Sequence, residues 1–258
     1  MKAIRILAAA AIASAAFSLG TPGPAIAAGE ATAPPAEHWS FSSLFGTFDR
    51  DALRRGFQVY KGVCAGCHGL RLVAYRNLMD IGFSEDEVKD IAAESDFMDG
   101  PNDDGEMFDR PGLPSDRFRS PFPNENAARA SNNGAYPPDL SLIVKARLGG
   151  ADYVHAILTG YRDPPAGTEL PDGMYYNEYF PGHNIAMAPP LSDGIVEYAD
   201  GTEATADQLS RDVTTFLAWT AEPELETRKR IGVKVVLFLL LLTGLLYVVK
   251  RRIWQDVH

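Results

Sequence analysis

Residues 64–68 read Cys64-Ala65-Gly66-Cys67-His68, and this stretch decides the fold. C-x-x-C-H is the attachment signature of c-type haem. Two thiols on one helical turn can each add to a haem vinyl group. The adjacent His68 then offers its imidazole to the iron from the same turn. Cys64 and Cys67 are the only two cysteines in the chain, so a four-ligand structural zinc site is excluded. A thioredoxin-like redox pair would need a βαβ context, and no such pattern surrounds the motif. The expected cofactor is one covalently attached haem c.

A second axial ligand must come from elsewhere, and the chain holds five His and six Met. Met187 lies in Ile185-Ala186-Met187-Ala188-Pro189-Pro190-Leu191. Two prolines favour an extended loop beside a soft thioether. Met/His ligation raises the reduction potential and suits electron transfer. The place of Met187 just before the last helix of the body favours it. His183, His155 and Met174 are the alternatives.

Working outward, Asp49 to Val63 reads as a helix, with Leu53, Gly56, Phe57, Tyr60 and Val63 on one stripe. A second helix is predicted from Ser84-Glu85-Asp86-Glu87, a capping-box pattern. Residues 94–126 lose periodicity and read as a long acidic loop. Residues 132–138 read as a turn. Leu140 to Leu148 and Tyr153 to Leu158 read as two helices around Gly149-Gly150. Gly160 to Gly182 reads as loop. Thr205-Ala206-Asp207-Gln208, a second capping box, opens a helix with Phe216, Leu217 and Trp219 that ends before Pro223. No strand pair is expected, so the body is mostly α. Gly56 should let the first and last helices of the body cross closely.

The ends carry two apolar runs. Met1 to Arg5 is basic, Ile6 to Leu19 is apolar, and Ala25-Ile26-Ala27 is an A-x-A cleavage pattern, so residues 1–27 read as a secretory signal peptide. Residues 28–48 read as an Ala/Pro-rich leader and 49–222 as an exported cytochrome c domain. Residues 223–230 read as a linker, 231–249 as a transmembrane helix and 250–258 as a cytoplasmic tail. The apolar span nearly crosses the hydrocarbon core. Lys250-Arg251-Arg252 behind it matches a cytoplasmic flank. The chain carries a net charge of −10. Its basic residues at the two ends leave the middle more acidic still. Nucleic acid is thereby excluded as a partner, and a basic protein would be attracted.

Read together, these residues resemble the cytochrome c1 family. Arg54-Arg55-Gly56 through Val59-Tyr60 leads into Val63-Cys64-Ala65-Gly66-Cys67-His68. Asn132-Asn133-Gly134-Ala135-Tyr136-Pro137-Pro138-Asp139-Leu140-Ser141 is similar to the family's haem-side loop. Tyr176-Asn177-Glu178-Tyr179-Phe180-Pro181-Gly182 leads toward the Met187 loop. Phe216-Leu217-Ala218-Trp219 and Arg228-Lys229-Arg230-Ile231-Gly232 match the approach to the anchor.

The resemblance implies a class I cytochrome c-like haem domain with loop insertions and one C-terminal transmembrane helix. It implies Cys64 and Cys67 as thioether links and His68 and Met187 as iron ligands. Arg147 would pair with a haem propionate, and Asn132 and Pro138 would lie at the cofactor. The function implied is electron transfer in a quinol–cytochrome c oxidoreductase. Cytochrome b and a Rieske iron–sulfur protein would be neighbours, and a basic soluble or tethered cytochrome c the acceptor. The expected location is a bacterial inner membrane, with the haem domain in the periplasm and lipid around the anchor. The competing function is a membrane-anchored cytochrome c subunit of another respiratory oxidase or reductase. Some bacterial relatives carry an extra cysteine pair, which this chain lacks.

Overall fold

The computed structural model describes residues 32–255. The expected signal peptide, residues 1–27, lies outside them. Helix α1 spans Arg50–Val59, and Asp49 caps it by accepting from the amides of Asp51 and Ala52. A π-helical turn, Tyr60–Cys64, continues it into the cysteines. A 3₁₀ helix spans Tyr75–Ile81. Helix α2 spans Glu85–Ala93, with the predicted reciprocal capping box between Ser84 and Glu87. Helix α3 is Glu125–Ser131, α4 is the short Ile143–Ala146, and α5 is Gly150–Thr159. Helix α6 is Ala206–Ala221, and α7 is Leu225–Ile253.

The core sits where α1 crosses α6. Leu53, Phe57, Val59 and Tyr60 of the first helical stretch meet Leu209, Val213, Phe216 and Trp219 of α6, all buried. The Phe57 and Tyr60 rings lie 5.7 and 5.9 Å from Phe216, in tilted pairs. Gly56 permits this approach, as the sequence predicted. A Cβ there would overlap the Asp212 carbonyl and lie 2.7 Å from Phe216 Cβ. The obstacle is therefore mainly the α6 backbone, not a ring. Asp212, buried at the crossing, is held in bidentate fashion by Arg55 at 2.9 and 3.1 Å. Such a fork satisfies a carboxylate that burial alone would penalise.

Several sequence expectations need correction. Residues 94–126 are not wholly loop: β1 (Asp96–Asp99) pairs antiparallel with β2 (Phe108–Pro111). No strand pair was expected because no residue of either strand is fully buried and only β1 alternates, too weak a pattern to read. Arg110 holds the hairpin by bonding Asp99 and Asp116. Second, residues 125–131 form α3. Asn124 caps it, and Asn133 and Gly134, at φ 49° and 85°, end it in left-handed conformations. Third, Leu140 to Leu148 is not one helix. The Leu140 amide donates to the Gly69 carbonyl at 2.9 Å, and only residues 143–146 turn helical. Fourth, the leader is not loose throughout. Trp39, Phe41 and Phe48 are buried in the main core. Trp39 Nε1 donates to Asp152 Oδ1 at 2.6 Å.

The Thr205 box is half-formed. Thr205 Oγ1 accepts from the Gln208 amide at 3.2 Å, but the Gln208 side chain donates forward to Asp212 at 2.9 Å. A second small ladder, β3 (Tyr175–Tyr176) with β4 (Asn184–Ile185), lies just before Met187. Helix α7 is long and apolar enough to cross a membrane. Its residues 231–249 are almost all exposed, as lipid-facing residues must be when no protein covers them. Residues 225–230, read as linker, are its first turns.

Candidate haem site

The motif occupies the C-terminal end of the first helical stretch. The amides of Cys67 and His68 donate to the Cys64 carbonyl at 3.1 and 2.9 Å, closing one turn around both thiols. Burial pushes the Cys64 thiol up to about 12, and Cys67 beside it adds to the effect. The turn presents both thiols together beside the imidazole, as thioether attachment requires.

His68 Nδ1 lies 2.7 Å from the Pro138 carbonyl oxygen. A carbonyl only accepts, so Nδ1 carries the proton and donates. Nε2 then holds the lone pair, the form a metal requires. Burial lowers the pKa of the imidazole, against the opposite pull of the Pro138 bond and the Asp139 charge.

The segment carrying Pro138 is fastened to the chain just after the motif. Asp139 Oδ2 accepts from the Arg71 amide at 2.9 Å, and Ser141 Oγ accepts from the Leu72 amide at 3.1 Å. Asp139 Oδ1 also accepts from the Ser141 amide at 3.0 Å. Tyr60 Oη donates to the His68 carbonyl at 3.1 Å. Sequence reasoning singled out neither Asp139 nor Ser141. An Asp-x-Ser just past Pro-Pro was the available signal, since such side chains favour local backbone bonds.

Asn132 and Arg147 are placed less directly. Asn132 ends α3, and its Nδ2 donates to the Ala128 carbonyl at 2.7 Å. Arg147 follows α4, is exposed, and makes no ion pair among the described residues. Its one side-chain bond there is to the neighbouring Ala146 carbonyl, at 3.2 Å.

Met187 is half-buried in a loop behind β4. Tyr161 Oη donates to its carbonyl oxygen at 3.0 Å. Burial raises the Tyr161 phenol, so the hydroxyl keeps its proton. Asn177, fully buried, ties the approach. Its Nδ2 donates to the Ile157 carbonyl at 2.8 Å, and its Oδ1 accepts from the Tyr179 amide at 3.1 Å. Of the alternative ligands, His155 is buried against Ser210, with Nδ1 2.8 Å from Ser210 Oγ. His183 has a left-handed backbone, φ 61°, and its ring stacks on Tyr176 at 5.4 Å. Met174 lines an open cleft of about 570 Å³ with Tyr161, Tyr175 and Pro189.

Comparison with known proteins agrees with this architecture. The profile described as the Cytochrome C1 family matches residues 39–257. A protein named cytochrome b/c1 from Bradyrhizobium diazoefficiens is 50% identical and aligns with 100% of this chain. The chain spans only 41% of that relative's length. Cytochrome c1 of Rhodospirillum rubrum is 50% identical, with 86% of this chain and 87% of the relative covered. A mitochondrial cytochrome c1 heme protein of Solanum tuberosum is 53% identical, with 86% and 85% covered. The chain belongs to the cytochrome c1 family.

Proposed function

We propose that this chain is the haem-bearing electron-transfer subunit of a quinol–cytochrome c oxidoreductase, the cytochrome bc1 complex. The observation that carries the reading is the bond from His68 Nδ1 to the Pro138 carbonyl, which commits one ring nitrogen and leaves Nε2 for iron. Cys64 and Cys67 would hold a single haem c through thioethers, and Met187 would supply a sulfur ligand to its iron beside His68. Arg147, without an ionic partner among the described residues, would meet a propionate in bidentate fashion. Asn132 and Pro138 would shape the loop on the His68 side. Haem supplies a one-electron iron couple, and no substrate bond is broken on this chain.

The donor would be a Rieske iron–sulfur protein, with cytochrome b as the membrane neighbour. The acceptor would be a basic cytochrome c, drawn by the acidic body. Helix α7 would cross a bacterial inner membrane once and hold the haem domain in the periplasm.

Met187→Leu tests the ligand set. The weak near-infrared sulfur–iron band of the oxidised protein should vanish, and the reduction potential should fall. An unchanged band would move the ligand to Met174, and a histidine-type spectrum already in the parent protein would move it to His183.

A further inference from the structure

We infer that Tyr161 is a positioning residue for the sulfur ligand, its hydroxyl fixing the backbone from which the Met187 side chain projects. The inference rests on Met187 as the ligand proposed above. Methionine has three rotatable bonds and a thioether that adapts to its surroundings, so its sulfur is only as well placed as its backbone. That backbone has little else to hold it. Pro189 and Pro190 have no N–H to donate. Among the described residues, residues 186–191 make a single hydrogen bond, from Tyr161 Oη to the Met187 carbonyl at 3.0 Å.

Tyr161 is itself well anchored. It follows α5 after one glycine, Gly160, where a Cβ would press to 2.6 Å from the Ala156 carbonyl. Its backbone pairs with Asn177 in an isolated antiparallel bridge. Asn177 in turn bonds the Ile157 carbonyl inside α5. One helix end thus carries the tyrosine, and the tyrosine carries the loop. The phenol is half-buried, and an uncompensated loss of its bond would leave the Met187 carbonyl short of a partner.

The test is Tyr161→Phe, which keeps the ring and removes the hydroxyl. The full chain, haem attached and in detergent, is titrated from neutral to alkaline pH while the near-infrared sulfur–iron band is recorded. Losing one hydrogen bond of ordinary net strength should weaken sulfur binding by roughly fivefold. The pH of half-loss should then fall by roughly 0.7 unit. The reduction potential should also fall, because the weaker bond favours the reduced form less. A band with unchanged pH of half-loss overturns the inference, even where the melting temperature drops, since a purely structural tyrosine would do that. Met187→Leu measured alongside separates the two readings. A band that survives Met187→Leu refutes the ligand, whereas a band lost there but unmoved in Tyr161→Phe refutes only the tyrosine.

Discussion

The two sides of the candidate site are built in opposite ways. On the His68 side, residues 138–141 are stitched to residues 68–72 by four bonds from His68, Arg71, Leu72 and Leu140. The motif there ends a helix whose other residues form the core crossing. On the Met187 side, a proline-bearing loop hangs from Tyr161 and from the end of the β3–β4 ladder. Covalent attachment needs two thiols and an imidazole presented together, which only a rigid turn provides. A thioether ligand can be delivered by a looser arm, whose tension then tunes how firmly sulfur is held.

This contrast can be broken first at the crossing. Gly56→Leu drives a side chain into the Asp212 carbonyl and Phe216. Overpacking of this kind costs about 3 kcal/mol or more where backbone is the obstacle. Covalent haem yield and melting temperature should both collapse, and near-normal values of both would refute the crossing as the main brace.

Asn177→Ala strikes the other side. It removes both side-chain bonds of a fully buried residue, at about 2 kcal/mol. Haem should stay attached while the sulfur–iron band weakens. Detachment of haem, with the band lost only as a consequence, would erase the distinction between the two sides. Asp139→Ala sharpens the first side by releasing the Arg71 and Ser141 amides, at about 1 kcal/mol. The expected readout is a lower melting temperature with the sulfur–iron band intact. Loss of that band at full stability would contradict it.

The smallest effect concerns acid. The Thr202 backbone amide, helped by Arg55, holds the Asp200 carboxyl down at about 2. A carboxylate lowered in the folded state stabilises it above its unfolded value near 4, and that help fades as pH falls toward about 2. Asp200→Asn should therefore shift melting slightly more at pH 6 than at pH 3, where part of that help is already lost. An equal shift at both would assign the effect to packing.

Much of this was legible in the sequence because the signals are local. The C-x-x-C-H spacing, the Ser84–Glu87 box and the apolar run of α7 each lie within one stretch of chain, and the Gly56 crossing was legible because a glycine sits in the apolar stripe of α1. What was not legible depends on distant partners. The Phe97 and Arg110 hairpin is too weakly patterned to read, since its stability comes from Asp99, Asp116 and the Tyr75 ring. Trp39 looked like leader because the Asp152 that receives it lies far along the chain. The roles of Asp139 and Tyr161 depend on bonds to residues 68 and 26 positions away.

Intact mass under denaturing conditions tests the central claim most directly, using the chain purified from membranes. One haem bound through two thioethers should leave the polypeptide carrying the full mass of one haem after acid and organic solvent. A bare polypeptide, or one lighter by the two hydrogens of a Cys64–Cys67 disulfide, would contradict it.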